Sequence, residues 1–228
     1  MESRRLEAIL NRDCFVASLL AMTKKLTMIA IIDYGMGNLR SVQKALEKVG
    51  AQALVTQNPK DVRDAKKVVL PGVGAMKPAM ERLQSLGFIE PIQEAIRNGK
   101  PFLGICLGLQ LLFEESDEGG KVKGLGLLPG SVKRFTSLKV PHMGWNQINF
   151  KQSQCPLFAG IENLSFMYFC HSYFVSPTNT ACNATTTDYG VEFTSSVCKD
   201  NVFGVQFHPE KSQELGLRIL RNFQENTT

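Results

Sequence analysis

The sequence has few of the features that mark membrane proteins or nucleic-acid-binding proteins. Its apolar runs are short, and none approaches the roughly 20 residues that a membrane-spanning helix needs. Basic residues are spread along the chain, and the formal net charge is only +5. A concentrated basic patch, the usual mark of nucleic-acid binding, is therefore not indicated. We expect a globular protein with neither a membrane nor a nucleic acid as partner.

Spacings typical of zinc sites or disulfide frameworks are also lacking. The chain has three histidines and six cysteines, without a CxxC pair or a closely spaced His–Cys ligand set. With 228 residues, of which 43% are hydrophobic, it can bury a core without covalent cross-links. We therefore expect reduced cysteines, a cytoplasmic location, and neither a metal nor another cofactor.

Residues 1–27 differ from the rest of the chain. Two arginines precede the apolar run 14–22, as in a weak signal peptide, but acidic residues interrupt the basic part and no convincing cleavage site follows. A clear strand pattern begins at Met28. We predict an N-terminal extension over 1–27, outside the fold, and one domain over 28–228.

The first half of the domain alternates apolar β-branched runs with helical patterns. This order predicts βα units and a mostly parallel central sheet flanked by helices, which is an α/β fold. The later runs are mainly strand-like and predict added antiparallel strands, followed by a last helix. The predicted strands are 28–33, 51–56, 67–70, 101–105, 142–150, 166–175, 191–199 and 202–207. The predicted helices are 39–49 (capped by Asn38), about 76–86, 88–98, 107–115 and 212–223.

The segment 104–108, Gly-Ile-Cys-Leu-Gly, places a thiol between two glycines at the end of a predicted strand. Glycine inside an element costs about 0.5–1 kcal/mol relative to alanine. A Gly-x-nucleophile-x-Gly segment at a strand end forms a sharp turn that presents the central side chain to a ligand. Cys106 is thus a candidate nucleophile. The alternative is an inert core cysteine beside glycines that serve packing.

Two other segments supply what a thiol nucleophile needs. His208 follows the strand 202–207, and Glu210 lies close enough to orient its imidazole, as a catalytic base requires. The Pro-Gly-Val-Gly loop at 71–74 can offer backbone N–H groups to an oxyanion, with the Leu107 N–H as a second donor. Taken singly, each segment could be an ordinary turn. Together they indicate acyl-transfer or amide-hydrolysis chemistry through a thioester.

The same motifs resemble the class I glutamine amidotransferases. Within that family the sequence is most similar to glutaminase subunits that supply ammonia to histidine biosynthesis. The resemblance covers the chain from about Met28 to the last helix. It is carried by 32–42, 71–76, 141–148, 171–174 and 204–212.

The resemblance implies a catalytic triad. Cys106 would attack the side-chain amide carbon of glutamine. His208 would take the thiol proton and then protonate the departing ammonia, and Glu210 would orient His208. Water would then hydrolyse the thioester and release glutamate.

The resemblance also implies the residues that bind the substrate. Val73 and Leu107 would offer oxyanion-hole N–H groups, while Gly74, Gln110 and the Ser172–Tyr173 segment would hold glutamine. His142 and His171 would be structural neighbours of the site.

A partner enzyme is implied as well. Ammonia would pass to a cyclase subunit of (β/α)8-barrel form, which makes imidazole glycerol phosphate and aminoimidazole carboxamide ribotide. The surface that faces this partner would include Asn38, Lys211 and Trp145, the only tryptophan.

Three other functions remain open at this point. The chain could be a paralogous glutaminase that feeds another barrel partner, for example one that aminates a nucleotide sugar. It could be a stand-alone cysteine hydrolase, which Gln110 and the segment 171–173 disfavour. It could also be a non-catalytic regulatory module, against which the intact set Cys106, His208 and Glu210 argues.

Overall fold

A computed structural model describes residues 28–152 and 154–227. The predicted extension 1–27 lies outside the described residues, so the boundary at Met28 remains a prediction. Within the described ranges, no helix is both long and apolar enough to cross a membrane.

The described chain alternates strands and helices in its first half and consists mainly of strands in its second half. The α-helices are α1 (Leu39–Lys48), α2 (Pro59–Asp64), α3 (Met76–Ser85), α4 (Ile89–Arg97), α5 (Leu107–Gln110) and α6 (Gln213–Asn226). The strands are β1 (Met28–Ile32), β2 (Gln52–Thr56), β3 (Lys67–Gly72), β4 (Phe102–Cys106), β5 (Phe113–Ser116), β6 (Val122–Lys123), β7 (Leu128–Arg134), β8 (His142–Gln147), β9 (Asn149–Phe150), β10 (Phe166–His171), β11 (Tyr173–Pro177), β12 (Asn183–Asp188), β13 (Glu192–Lys199) and β14 (Val202–Val205).

The main sheet has the order β2-β1-β3-β4-β14-β13-β11-β7-β5-β6, with β12 paired to β13 and β9 paired to β12. Strands β2, β1, β3, β4 and β14 are mutually parallel. The pairs β13–β14, β11–β13 and β7–β11 are antiparallel. A second, two-stranded sheet pairs β8 with β10. The predicted α/β class with antiparallel additions is therefore confirmed.

Helices cover both faces of the parallel part of the sheet. One core cluster joins α1 and α6 to one face through residues that include Leu46 and Phe223. The other cluster joins α2, α3 and α4 to the opposite face through residues that include Val62, Leu83 and Ile92. Because both faces are covered, β3 and β4 are buried along their whole length, as their continuous apolar runs predict.

The prediction of a helix over 107–115 is wrong beyond the first turn of that helix. Helix α5 ends at Gln110, and the chain continues into strand β5. The carbonyls of Leu111, Leu112 and Phe113 accept hydrogen bonds from N–H groups of the segment 125–128, so they are not used by a helical ladder. Residues 107–113 are buried on all sides, and such a run does not distinguish a helix from a strand by its periodicity.

Three other elements also differ from the predictions. The predicted strand 166–175 is divided at Ser172 into β10 and β11, which belong to different sheets. The predicted strand 142–150 is likewise divided, at the buried Ile148. The short helix α2, whose first turn is capped by the Asn58 side chain, has no counterpart among the predicted helices.

Candidate active site

The ends of three neighbouring strands bring the predicted catalytic segments together. Gly72 at the end of β3 pairs with Cys106 at the end of β4. On the other side of β4, Ile105 pairs with Val205 of β14, two residues before Phe207 and three before His208. All three strands are parallel, so their carboxyl ends lie at one edge of the sheet. The segments around Gly72, Cys106 and His208 therefore meet at this edge.

Cys106 has the backbone conformation of a sharp turn, with φ 55° and ψ −109°. A positive φ in a residue other than glycine costs roughly 1–3 kcal/mol and persists only where the surroundings enforce it. The two glycines of the motif permit the close packing around this turn. A Cβ added at Gly104 would lie 2.6 Å from the Gly108 carbonyl oxygen, and one added at Gly108 would overlap the Leu70 carbonyl.

His208 and Glu210 form a buried pair beside the thiol. The imidazole Nδ1 lies 2.9 Å from the Glu210 Oε1 atom, which leaves Nε2 for the thiol. Burial alone would lower the pKa of His208, but hydrogen bonds to Cys106 and Glu210 outweigh burial and raise it to about 10. The charged form of the imidazole is therefore favoured, and it can release the proton that it takes from the thiol to a leaving group.

A cavity of about 470 Å³ lies over the thiol. Of the twelve predicted site residues, nine line this cavity: Val73, Gly74, Cys106, Leu107, Gln110, Ser172, Tyr173, His208 and Lys211. Glu210 lies behind His208, while Asn38 and Trp145 are on the exposed surface. The Leu107 N–H begins helix α5 and so has no partner within that helix.

The side chain of Gln110 is held in one orientation at the cavity wall. Its Nε2 group donates to the Tyr173 carbonyl over 2.9 Å and to the Gln206 Oε1 atom over 3.0 Å. Both N–H bonds of the amide are therefore used, and its Oε1 atom is the part available to a ligand.

Glu118 was not among the predicted site residues, yet it lines the cavity. Its Oε2 atom accepts a hydrogen bond of 2.7 Å from the Met76 N–H at the start of α3, which has no cap from its own N-cap side chain. The carboxylate thus supports the loop that follows β3 and places a negative charge in the cavity. The residue follows strand β5, where the sequence predicts a helix, so its position was missed.

The exposed face of the two-stranded sheet carries large apolar side chains. Met143, Trp145 and Phe166 are 61%, 46% and 53% exposed. The Trp145 ring lies edge-on to Tyr168 with centroids 5.9 Å apart, and the Lys211 Nζ lies 5.8 Å from the Tyr168 ring centroid. Exposed aromatic residues that adjoin a cavity are typical of protein interfaces.

His142 and His171 form a second buried pair, separate from the His208–Glu210 pair. The His142 Nδ1 and the His171 Nε2 lie 3.0 Å apart. Burial lowers the pKa of His142 to about 4. Burial also lowers the pKa of His171, to about 3, although the Tyr173 carbonyl opposes this effect. Within the described ranges, five cysteines are free, and no group of three potential ligands is arranged for a metal.

Comparison with known proteins agrees with this geometry. The family model described as "Glutamine amidotransferase class-I" matches residues 30–226. Among solved structures, PurLQS from Thermotoga maritima superposes with a TM-score of 0.71 at 18% identity, covering 89% of this chain and 100% of that chain. A structure described as a glutamine amidotransferase gives a TM-score of 0.69 at 18% identity, covering 86% and 97%. The chain belongs to the class I glutamine amidotransferase family.

Curated relatives show to which group within the family the chain belongs. HisH, a subunit of imidazole glycerol phosphate synthase, from Syntrophotalea carbinolica is 55% identical over 86% of this chain and 98% of its own length. HisH from Geobacter sulfurreducens is 54% identical over 88% of this chain and 99% of its own length. Within the amidotransferases, the chain therefore belongs with the HisH subunits of imidazole glycerol phosphate synthase.

Proposed function

We propose that this chain hydrolyses glutamine to glutamate and ammonia and delivers the ammonia to a cyclase partner in histidine biosynthesis. The observation that carries the proposal is the strained Cys106 at the cavity floor, next to the buried His208–Glu210 pair. A thiol, a base and an oriented carboxylate are the groups that amide hydrolysis through a thioester requires.

The reaction begins when His208 takes the thiol proton and the Cys106 sulfur attacks the side-chain amide carbon of glutamine. The backbone N–H groups of Val73 and Leu107 stabilise the oxyanion, and each such donor contributes about 3 kcal/mol to lowering the barrier. His208 then protonates the departing ammonia, and water releases glutamate from the thioester. Glu210 holds the imidazole orientation throughout.

Substrate recognition uses the charges and dipoles that line the cavity. The Gln110 Oε1 atom accepts from the amide N–H of the substrate, because both of its own N–H bonds are used elsewhere. Gly74 and the Ser172–Tyr173 segment complete the wall around glutamine. The Glu118 carboxylate is the complement of the α-ammonium group of the substrate.

The cyclase partner is a (β/α)8 barrel that docks on the face formed by Trp145, Lys211 and the N-terminal end of α1 at Asn38. The exposed aromatic side chains of the two-stranded sheet supply the apolar anchor. This face adjoins the cavity, since Lys211 belongs to both. Ammonia released at Cys106 then has a short path into the partner.

The deciding experiment measures glutamate release by the purified chain, alone and with the histidine-pathway cyclase plus its nucleotide ligand. Strong stimulation by the liganded cyclase is expected. Activity without stimulation would support the assigned catalytic residues and reject this partner. A lack of glutamate under both conditions would reject the glutaminase assignment itself. Ammonium salts should let the cyclase form product without this chain.

A further inference from the structure

Gln206 is a fully buried amide that the mechanism described above does not use. It follows strand β14 directly, in the position next to Cys106 that the pairing of Ile105 with Val205 dictates. Its Nε2 atom lies 3.6 Å from the Cys106 sulfur, and its Oε1 atom accepts from Gln110 over 3.0 Å. Since the side chain has no exposed surface, it does not bind substrate, and its single contact with a reacting atom is to the sulfur.

The orientation of the Gln206 side-chain amide follows, through Gln110, from the position of the Tyr173 backbone carbonyl. The Tyr173 carbonyl can only accept, so the Gln110 atom that faces it must be the N–H donor Nε2. The second N–H of the same group then faces an acceptor, which must be the Gln206 Oε1 atom. Gln206 is thereby left with its own N–H group directed at the Cys106 sulfur.

The Tyr173 carbonyl is held in turn by the buried histidine pair. The His171 Nδ1 lies 2.7 Å from this carbonyl, so Nδ1 carries the proton and Nε2 is the acceptor. His142 must then donate from Nδ1 to His171, and its Nε2 atom accepts from the Asn146 amide over 3.3 Å. Because burial lowers the pKa of both rings, they stay neutral and these directions are preserved at neutral pH. The chain of hydrogen bonds therefore runs without a conflict from Asn146 to Tyr173.

We propose that Gln206 is a further catalytic residue, whose N–H donates to the Cys106 sulfur whenever that sulfur carries negative charge. Charge develops there twice, when His208 removes the thiol proton and when the thioester breaks and the sulfur leaves. Gln206 keeps its own protons throughout, since the proton moves between sulfur, His208 and the leaving group. Gln110, His171 and His142 are positioning residues that orient this donor. The inference rests on the proposed reaction at Cys106.

The test compares the rate at which Cys106 is alkylated in the wild-type chain and in Gln206→Met, a side chain of similar length without the donor. Iodoacetamide is the probe, and the Cys106 peptide is quantified by mass spectrometry, which separates it from the other thiols. Loss of one hydrogen bond to a charged atom should slow alkylation at pH 7 roughly ten- to a hundredfold. In the complex with the liganded cyclase, kcat should fall by a similar factor, while KM for glutamine changes less than about twofold.

Asn222→Leu is the matched control, because it also removes a buried amide, one that donates to the carbonyls of Leu157 and Ala159. It should lower stability without changing Cys106 alkylation. If Gln206→Met fails to fold, Gln206→Asn, which is one methylene too short to reach the sulfur, should show the same loss. Unchanged alkylation in a folded Gln206 variant would overturn the inference even if the wild type is an active glutaminase.

The positioning role of His142 and His171 can be tested by NMR spectroscopy. In a chain with ¹⁵N-labelled histidine, His142 and His171 should both be neutral at pH 7 and protonated at Nδ1. The Nε2–H tautomer at His171 would reverse the deduced directions and overturn the positioning role. Slowed alkylation together with an inactive wild type would instead reject the proposed glutaminase reaction and leave the donor to sulfur standing.

Discussion

Replacing Glu210 by glutamine should reduce turnover strongly while leaving glutamine binding nearly unchanged. The substitution keeps the shape of the side chain and an oxygen that can face the His208 Nδ1, but it removes the charge. In the native site the two atoms are 2.9 Å apart, and the side chains are only 5% and 2% exposed. Solvent therefore screens this interaction little, unlike an ion pair on the surface.

The expected fall in kcat follows from the short distance and the low exposure of this pair. A hydrogen bond to a charged group contributes about 1.5–3 kcal/mol, and 1.36 kcal/mol corresponds to tenfold in rate. We therefore expect kcat of Glu210→Gln to fall about 10- to 150-fold in the liganded cyclase complex, with KM changed less than about twofold. The pKa of His208 should also fall, because the charge of Glu210, one of the two residues that raise it, is lost.

The assay is glutamate release over a range of glutamine concentrations, with Glu90→Gln as the control. Glu90→Gln is the same chemical change on the surface, where the Glu90 side chain is 80% exposed and pairs with Arg63 over 3.4 Å. That variant should retain wild-type kinetics. A loss of less than about threefold in Glu210→Gln, or a loss confined to KM, would refute the idea that Glu210 acts through His208.

Three further perturbations have defined outcomes. Cys106→Ala and Cys106→Gly should both abolish glutamate release while keeping the affinity for the cyclase, measured by calorimetry. In urea unfolding the glycine variant should be the more stable by about 1 kcal/mol, because it relieves the positive φ; equal stability would argue against strain there. Gly108→Ala should lose most of its soluble folded yield, since a methyl group there overlaps a backbone carbonyl; a native melting temperature would contradict this packing. Because folding lowers the pKa of His142 to about 4 and of His171 to about 3, the stability that they contribute is full above about pH 6.5. It should be lost as the pH falls from there through 4 and 3, and urea unfolding at several pH values checks this slope.

The sequence predicts the parallel half of the fold well, for identifiable reasons. Strand β3 is a short apolar run whose burial on both faces matches its composition. Helix α1 begins where Asn38 can cap it, and the Asn38 Oδ1 atom does accept from the Ser41 N–H. The strand ends carry turn residues, so the convergence of the segments around Cys106 and His208 could be predicted.

The antiparallel half was predicted less completely, because its pattern depends on tertiary contacts. Three of the six residues of strand β12 are threonines, a composition typical of a polar loop. Thr185 is nevertheless fully buried, and its hydroxyl is hydrogen-bonded to Ser195 and Ser196 of β13. The division at Ser172 separates two runs that are both rich in aromatic residues, so composition does not mark it. Glu118 could not be placed, since the turn after α5 that brings it to the cavity depends on distant backbone partners.

The pairing of β4 with β14 ties the appearance of activity to a late event in folding. The Cys106 and Gln206 side chains that meet there are 100 residues apart in the chain. Contacts of such long range carry a large loop-closure cost and tend to form slowly. During refolding, reactivity of the Cys106 thiol would therefore report closure of the centre of the sheet, well after helices such as α4 have formed. The reactivity of the nucleophile is in this way a probe of when its own active site forms.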